Sequence, residues 1–265
     1  MKKYFLIAKN MWDQTFTYRL NFVVWRIRVV INLLIMYFLW SAILPQEKQL
    51  FGYSQSLMLT YILGTSLLNA IVLASRSGEV GDEINNGDLS NFLLRPINYF
   101  SYWFAKDIGD KAMNVAFSIA ELTLLFFVLK PHIFVQTNPF YLLGTLLAII
   151  SAAILFFYIN FFIGTLGFWV NETWPIRFIF LVIIIQFFGG GLFPLDILPH
   201  QIYVIFQLLP FAYLVYFPLK IYLGQLSILQ TIVSLGVSFL WMFLLYSGVK
   251  LLWTRGLREY TAEGR

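Results

Sequence analysis

The feature that most constrains this chain is a series of long apolar stretches separated by short polar or proline-containing segments. The apolar core of a bilayer is about 30 Å thick, so roughly 20 consecutive apolar residues in a helix can cross it. Six stretches meet that requirement, at residues 22–44, 54–75, 109–129, 140–168, 176–193 and 229–252. Breaks such as Pro45 and Pro139 separate most of them. The sequence therefore predicts an all-α integral membrane protein with six transmembrane helices in a single domain, residues 1–265.

Composition agrees with a membrane protein and excludes several classes of function. Apolar residues make up 60% of the chain and charged residues only 12%, whereas about a quarter of a soluble protein is charged. Without cysteine, the chain has no disulfide, no thiolate metal site and no catalytic thiol. Its two histidines, His132 and His200, leave little scope for an imidazole metal site. We predict no metal and no catalytic residues.

The basic residues predict the orientation of the chain in the membrane. The net charge is +5, and the Lys and Arg residues lie beside the apolar stretches, which favours contact with anionic lipid over binding to nucleic acid. With both termini in the cytoplasm, only Lys48, Lys130 and Lys220 of the 18 basic residues fall outside. Arg26 and Arg28, at the start of the first span, would then extend toward the inner interface.

Residues 1–20 are too polar to span a bilayer. They carry no small-residue cleavage site, so we do not expect a removable signal peptide. Apolar residues recur at helical spacing, at Tyr4, Ala8, Met11, Trp12, Thr15 and Phe16. Charged residues lie on the other side, at Lys2, Lys3, Lys9 and Asp13. This pattern predicts an interfacial helix on the membrane surface.

The loop at residues 76–108 is long, cytoplasmic in the predicted orientation, and internally ordered. Glu79 and Glu83 are one helical turn apart, as are Val80 and Ile84, so a short helix is expected to follow the second span.

A second short helix is predicted later in the same loop. Gly87 would end the first helix, and Asp88 is a suitable N-cap for the next. The second helix places three apolar residues on one face and ends before a proline: Leu89, Phe92, Leu93 and then Pro96. That face packs either on the inner ends of the protein's own spans or on a partner, and the sequence leaves both open.

Residues 194–218 are apolar but contain four prolines, at Pro194, Pro199, Pro210 and Pro218. Proline interrupts helices, so a single spanning helix is excluded here. Irregular backbone at membrane depth must pack on protein or line a cavity. We predict short re-entrant or outer-surface helices between spans five and six; an irregular outer loop is the alternative. The preceding run Gly189–Gly191 fits a kink or close helix packing better than phosphate binding.

Glu121 is the acidic residue deepest in a predicted span. A charged side chain at the bilayer centre costs roughly 2.5–3.5 kcal/mol on insertion scales. It therefore either lines the translocation path or a dimer interface, or is a neutral carboxyl bonded to Asn or Ser on a neighbouring span. The sequence does not choose between these.

The loop and the outer segment together resemble the permeases of type-2 ABC transporters. The family's loop pattern is matched in order by Glu83, Gly87, Leu89, Leu93, Leu94 and Pro96. The segments GGGLFPLDILP and LLPFAYLVYFPLKIYLG are similar to the family's outer region before its last span. The LLRP-N variant and the ending REYTAEGR are most similar to a bacterial subgroup of exporters.

The resemblance implies a function and partners. In that family, two permeases form a central pathway in the cytoplasmic membrane, and two cytoplasmic ATPases drive export. The second permease is an identical or a sibling chain. The loop between spans two and three would be the coupling helix that docks on the ATPase, with Glu79 and Arg95 beside the residues of the motif. ATP and magnesium would bind to the partner, since this chain has no Gly-Lys dipeptide from which to build a phosphate-binding loop.

Two other classes of function remain as alternatives. Asp107 and Asp110 at the inner start of the third span are reminiscent of the magnesium–pyrophosphate sites of membrane prenyl or lipid transferases, but such a site needs a second acidic cluster. An ion-coupled secondary transporter would normally carry more ionisable groups within its spans than Glu121 alone. Neither the transported substrate nor the identity of the second permease can be read from the sequence.

Overall fold

A computed structural model describes residues 2–17, 19–44 and 49–261. Pro45, Lys48 and the last four residues of REYTAEGR lie outside this part of the chain, as do the side chains of Lys2, Lys3, Asp13, Thr15 and Phe16. The described residues are 79% helical and contain no strand. Their α-helices are α1 Lys2–Thr17, α2 Arg19–Ile43, α3 Gln55–Ile71, α4 Val80–Asn85, α5 Leu89–Leu93, α6 Tyr99–Leu129, α7 Pro139–Thr165, α8 Trp174–Ile179, α9 Ile185–Phe188, α10 His200–Leu208, α11 Tyr216–Tyr222 and α12 Ile228–Glu259.

In the described part of the chain, four helices are long and apolar enough to cross a membrane. They are Leu20–Ile43 of α2, all of α6, α7 with its short extension to Phe168, and α12. The predicted windows 54–75 and 176–193 are also helical, but their helices are shorter than predicted. α3 has 17 residues and ends at Ile71, and the helical segment Trp174–Phe188 includes a π-helical stretch, Phe180–Ile184.

The two short helices end early for different reasons. Beyond α3, the carbonyl oxygens of Val72 and Ala74 accept hydrogen bonds from the ammonium of Lys111, so the chain leaves the helix there. Beyond α9, Gly190 takes a φ of +79°, a left-handed conformation that glycine adopts without strain, and the chain turns.

The N-terminal helix α1 packs along α6. The indole Nε1 of Trp12 donates a hydrogen bond of 3.0 Å to the carbonyl oxygen of Gly109, and Met11 is buried. A Cβ atom added at Gly109 would lie 2.6 Å from the carbonyl oxygen of Ala8, so glycine is required for this approach. Leu6 remains exposed on another side of the helix.

The segment from Leu195 to Tyr222 folds into short pieces around α10 and α11, and α11 is buried against α7. The main core surrounds it, with fully buried side chains from α3, α7 and α11 such as Tyr61, Phe156 and Tyr216. A second, smaller core lies at the opposite end of α7, where the loop between α3 and α6 packs.

Candidate functional site

The loop between α3 and α6 begins with a helical turn at Ser77–Glu79 and continues as α4, which packs directly on the end of α7. Glycines allow this contact. A Cβ atom at Gly164 would lie 2.9 Å from Cβ of Val80, and one at Gly167 would lie 2.9 Å from the carbonyl oxygen of Gly81. Side chains at these two positions would push α4 away from α7, so the glycines fix the position of the loop.

Ion pairs attach the same part of the loop to α6. The carboxylate of Glu79 is 3.2 Å from Nζ of Lys106 and 3.5 Å from the guanidinium of Arg76. Arg76 also pairs with Asp110 at 3.1 Å. These groups are only partly exposed, which reduces screening by solvent. Glu79 is therefore an internal anchor of the loop.

A second pair lies just beyond the first on α6. Lys111 contacts Asp107 at 3.1 Å and also donates to the carbonyl oxygens at the end of α3. Asp107 and Asp110 thus each face a basic side chain, which favours a structural role over a magnesium–pyrophosphate site. Among the described residues, no group of three or more acidic or histidine side chains could hold a metal ion.

Glu83 is held against α6. Its Oε2 accepts a hydrogen bond of 2.7 Å from the hydroxyl of Tyr99. Burial raises the pKa of Glu83 above its ordinary value of 4.5, although the bond from Tyr99 and the charge of Lys106 act in the opposite direction. Glu83 therefore fixes the loop to α6 within the chain.

The raised pKa of Glu83 predicts a pH dependence of stability. The folded protein retains a proton at pH values where the unfolded chain has lost it, so this stabilisation is complete below the ordinary pKa and is lost as pH rises through the raised pKa. Glu83→Gln should therefore flatten the decline in unfolding temperature between mildly acidic and neutral pH. Thermal unfolding in detergent would measure this, with the exposed Glu172→Gln as control. A wild-type slope in Glu83→Gln would contradict the assignment.

The second half of the loop turns at Gly87, whose φ is +79°. Asp88 precedes α5 as predicted, but its side chain makes no capping hydrogen bond. Leu89 is fully buried in the smaller core. The three residues predicted to share one apolar face, Leu89, Phe92 and Leu93, are therefore divided, because Leu89 lies on the side of α5 that contacts the protein's own helices whereas Leu93 is exposed.

The outward surface of the loop lies just after Leu89 and consists of Leu93, Leu94, Arg95 and Pro96. Leu93 is 50% exposed and Leu94 is 87% exposed. The guanidinium of Arg95 lies 5.3 Å from the centre of the Phe92 ring. We call residues 93–96 the loop tip. Two adjacent exposed leucines on an anchored loop form a small apolar surface suited to a protein partner.

Beneath the loop tip, aromatic side chains from α6, α7 and α12 form much of the smaller core. The ring of Tyr99 stacks on Trp253 with 4.9 Å between centroids, and Phe161 lies beside both. The hydroxyl of Tyr260, just after α12, accepts a hydrogen bond of 3.3 Å from the backbone N–H of Ser90 in α5. The loop is thus in direct contact with the ends of three long helices.

Comparison with known protein families identifies the chain. Residues 30–264 match the family model described as ABC-2 family transporter protein. The chain belongs to the ABC-2 transporter family. No curated protein matches it at a significant level. Membership makes this a multi-pass membrane permease of the ABC class, a transport component that is not generally an enzyme itself.

In this ABC-2 protein, Glu121 on α6 forms an ion pair with Arg26 on α2. The guanidinium Nε donates to Oε1 of Glu121 at 2.7 Å, and its NH2 group contacts the other carboxylate oxygen. Arg26 is buried, and the partner of Glu121 in the structure is this arginine rather than an Asn or Ser side chain on a neighbouring span. The sequence contains a signal for this pair. The apolar stretches carry few charged residues, and a basic and an acidic residue within two of them can neutralise each other.

A second ion pair, with one partner buried and the other partly exposed, lies in the segment after α9 of the ABC-2 protein. Nζ of Lys220 contacts Asp196 at 2.7 Å, the hydroxyl of Tyr53 at 3.0 Å and Oε1 of Gln225 at 2.7 Å. Tyr53 also donates to Asp196 at 2.9 Å. The sequence places Lys220 in a connection on the outer side. The structure buries it, and the pair joins the α2–α3 connection to α11.

Proposed function

We propose that this ABC-2 protein is the permease subunit of an ATP-driven exporter in the bacterial cytoplasmic membrane. It forms half of a translocation pathway and pairs with a second permease, identical or sibling. A separate dimer of cytoplasmic ATPases binds ATP and magnesium and supplies the energy. The observation that carries this proposal is the loop tip, which exposes Leu93 and Leu94 on a loop otherwise anchored within the chain.

The anchoring supports a coupling role for the loop. A docking element transmits force only if it is attached firmly to the moving helices. The loop is attached to α6 through Glu79 and Glu83, to α7 through the glycine contacts, and to α12 through Tyr260. Packed aromatic cores deform little, so a displacement of the tip moves the ends of these helices together. The sequence left open whether the loop packs on the protein's own spans or on a partner. In this proposal its inner side packs on its own spans and its tip packs on the ATPase.

In this proposal the six spans are α2, α3, α6, α7, the α8–α9 segment and α12. α3 is about 26 Å long at 1.5 Å per residue, enough to cross most of the apolar core. The α8–α9 segment is shorter, and the re-entrant helices α10 and α11 complete the outer half beside it. α1 lies at the inner surface.

The topology predicts which positions a membrane-impermeant thiol reagent reaches. Because the chain has no cysteine, single Cys substitutions report cleanly. In intact cells, labelling is expected at the exposed positions Gln49, Thr137 and Gln201, and no labelling at Asn86 or Asn171. Labelling at Asn86 together with protection of Thr137 would show that the orientation is the reverse of the one proposed. Labelling of some positions from each of the two groups would contradict the six-span arrangement.

Affinity purification in mild detergent tests the proposal itself. The tagged chain should recover an ATP-hydrolysing protein and a second permease, either this chain or a sibling. Recovery of the chain alone, under conditions that preserve its folding, would contradict it.

The Arg26–Glu121 pair disfavours ion-coupled transport, since a carboxylate held by an arginine is poorly suited to release and rebind an ion.

A further inference from the structure

A cleft of about 440 Å³ opens between the end of α7 and the end of α12. Its lining combines apolar, aromatic and charged side chains, namely Leu166, Trp169, Leu252, Arg255, Arg258 and Glu259. The α12 residues lie along one side of the helix, because positions three or four apart share a face. The cleft is distinct from the loop tip and from the Arg26–Glu121 and Asp196–Lys220 pairs.

The charge in the cleft is positive. Glu259 accepts a hydrogen bond of 2.5 Å from Nε1 of Trp169, which holds its carboxylate at the wall. Within residues 2–17, 19–44 and 49–261, neither Arg255 nor Arg258 has an ion pair or a side-chain hydrogen bond. Two guanidinium groups against one carboxylate leave one positive charge available to a ligand.

The cleft also straddles the boundary between the apolar and the basic part of α12. Leu251 is exposed just before it, and Arg255 and Arg258 follow one and two turns later. Below the cleft, the ring of Phe168 packs against the backbone of α12 at Gly256, where no side chain fits between them. The cleft wall is therefore fixed by close contact between α7 and α12.

We propose that this cleft binds the headgroup of an anionic phospholipid from the inner leaflet. Arg255 and Arg258 hold the phosphodiester, which matches the planar fork of a guanidinium, and Trp169 lies at headgroup depth. Leu166 and Leu252 contact the start of the acyl chains. A net charge of +1 selects a lipid with one negative charge over a zwitterionic lipid. The placement in the inner leaflet rests on the orientation given under the proposed function.

The proposal is tested by lipid-dependent thermal stability of the full chain in detergent. Phosphatidylglycerol should raise the unfolding temperature at lower concentration than phosphatidylcholine, because it binds the folded state more tightly. Soluble glycerol phosphate should not replace it, since it lacks acyl chains. The double variant Arg255→Gln/Arg258→Gln should need about 30-fold more phosphatidylglycerol, from about 1 kcal/mol per basic residue near an anionic surface.

The matched control removes the same charge from the same side of the membrane. Lys9→Gln/Lys250→Gln should retain the wild-type response, because both lysines are exposed outside the cleft. An equal loss in both double variants would overturn the proposal in favour of a general surface attraction. Equal stabilisation by the two lipids would also overturn it. Neither readout involves an ATPase, so failure here leaves the ATPase co-purification test independent.

Discussion

Leu94→Asp is expected to abolish recovery of the ATPase partner while leaving the amount of this permease in the membrane unchanged. Leu94 is 87% exposed and Leu93 is 50% exposed, so neither supports the fold as Leu89 does. Losing a central apolar anchor at a protein interface typically costs about 2 kcal/mol or more, roughly 30-fold in Kd, and a buried carboxylate costs more. Arg95→Ala, at the edge of the tip, should weaken recovery only mildly.

The measurement is a pull-down of the ATPase by each variant, compared with the amount of that variant present in the membrane. Asn171→Asp is a suitable control, because it adds the same charge at an exposed position on the same side of the membrane, outside the loop. Phe92→Ala is less informative, since Phe92 packs on Tyr99 and Tyr102 and its loss would disturb the loop itself. Undiminished recovery with both Leu93→Asp and Leu94→Asp would show that the tip is not the docking surface.

Glu121→Gln is expected to destabilise the permease strongly, whereas apolar replacement of both Glu121 and Arg26 should not. The amide leaves the buried guanidinium of Arg26 without a counter-charge, and breaking a buried ion pair on one side typically costs about 3–5 kcal/mol. Replacing both partners with apolar residues is often neutral or stabilising. Arg26→Met/Glu121→Leu should therefore regain the stability that Glu121→Gln loses.

Thermal unfolding in detergent and the yield of folded protein would follow both effects. Arg28→Met is the matched control, because Arg28 is exposed two residues further along the same helix and its loss should be nearly silent. A harmless Glu121→Gln would indicate a neutral carboxyl rather than an ion pair. A double variant worse than either single substitution would indicate that the charges are needed for something other than compensating each other.

The helices were predictable because the apolar stretches are long, while their ends depended on distant residues. The window 54–75 gives no sign that α3 ends at Ile71, since the reason is Lys111 on α6, which bonds the carbonyl oxygens beyond it. The last part of the window 176–193 is different, because Gly189–Gly191 is a visible local signal for a turn. Local signals could therefore predict the end of the α8–α9 segment, whereas only tertiary contacts could predict the end of α3.

The candidate site was predictable as a segment but not residue by residue. The loop motif placed the segment, yet a one-turn helix such as α5 offers no reliable face, and Leu89 points inward while Leu93 is exposed. The pairs Arg26–Glu121 and Asp196–Lys220 join residues far apart in the chain or in an irregular segment. Apolar periodicity carries no information about such partners, although charge balance within the spans indicates that each buried charge needs one.

The most direct test of the coupling assignment is site-specific cross-linking from the loop tip. A single Cys at Leu94, carrying a short photoactivatable reagent, should cross-link to an ATP-hydrolysing partner in native membranes, since no other cysteine in the chain competes. A Cys at Leu143, exposed near the opposite end of α7, should give no such product. Cross-linking from Leu94 to the ATPase alone is the predicted result. Cross-links from Leu94 only within this chain, or equal cross-linking from Leu143, would contradict the assignment of the loop tip as the docking surface.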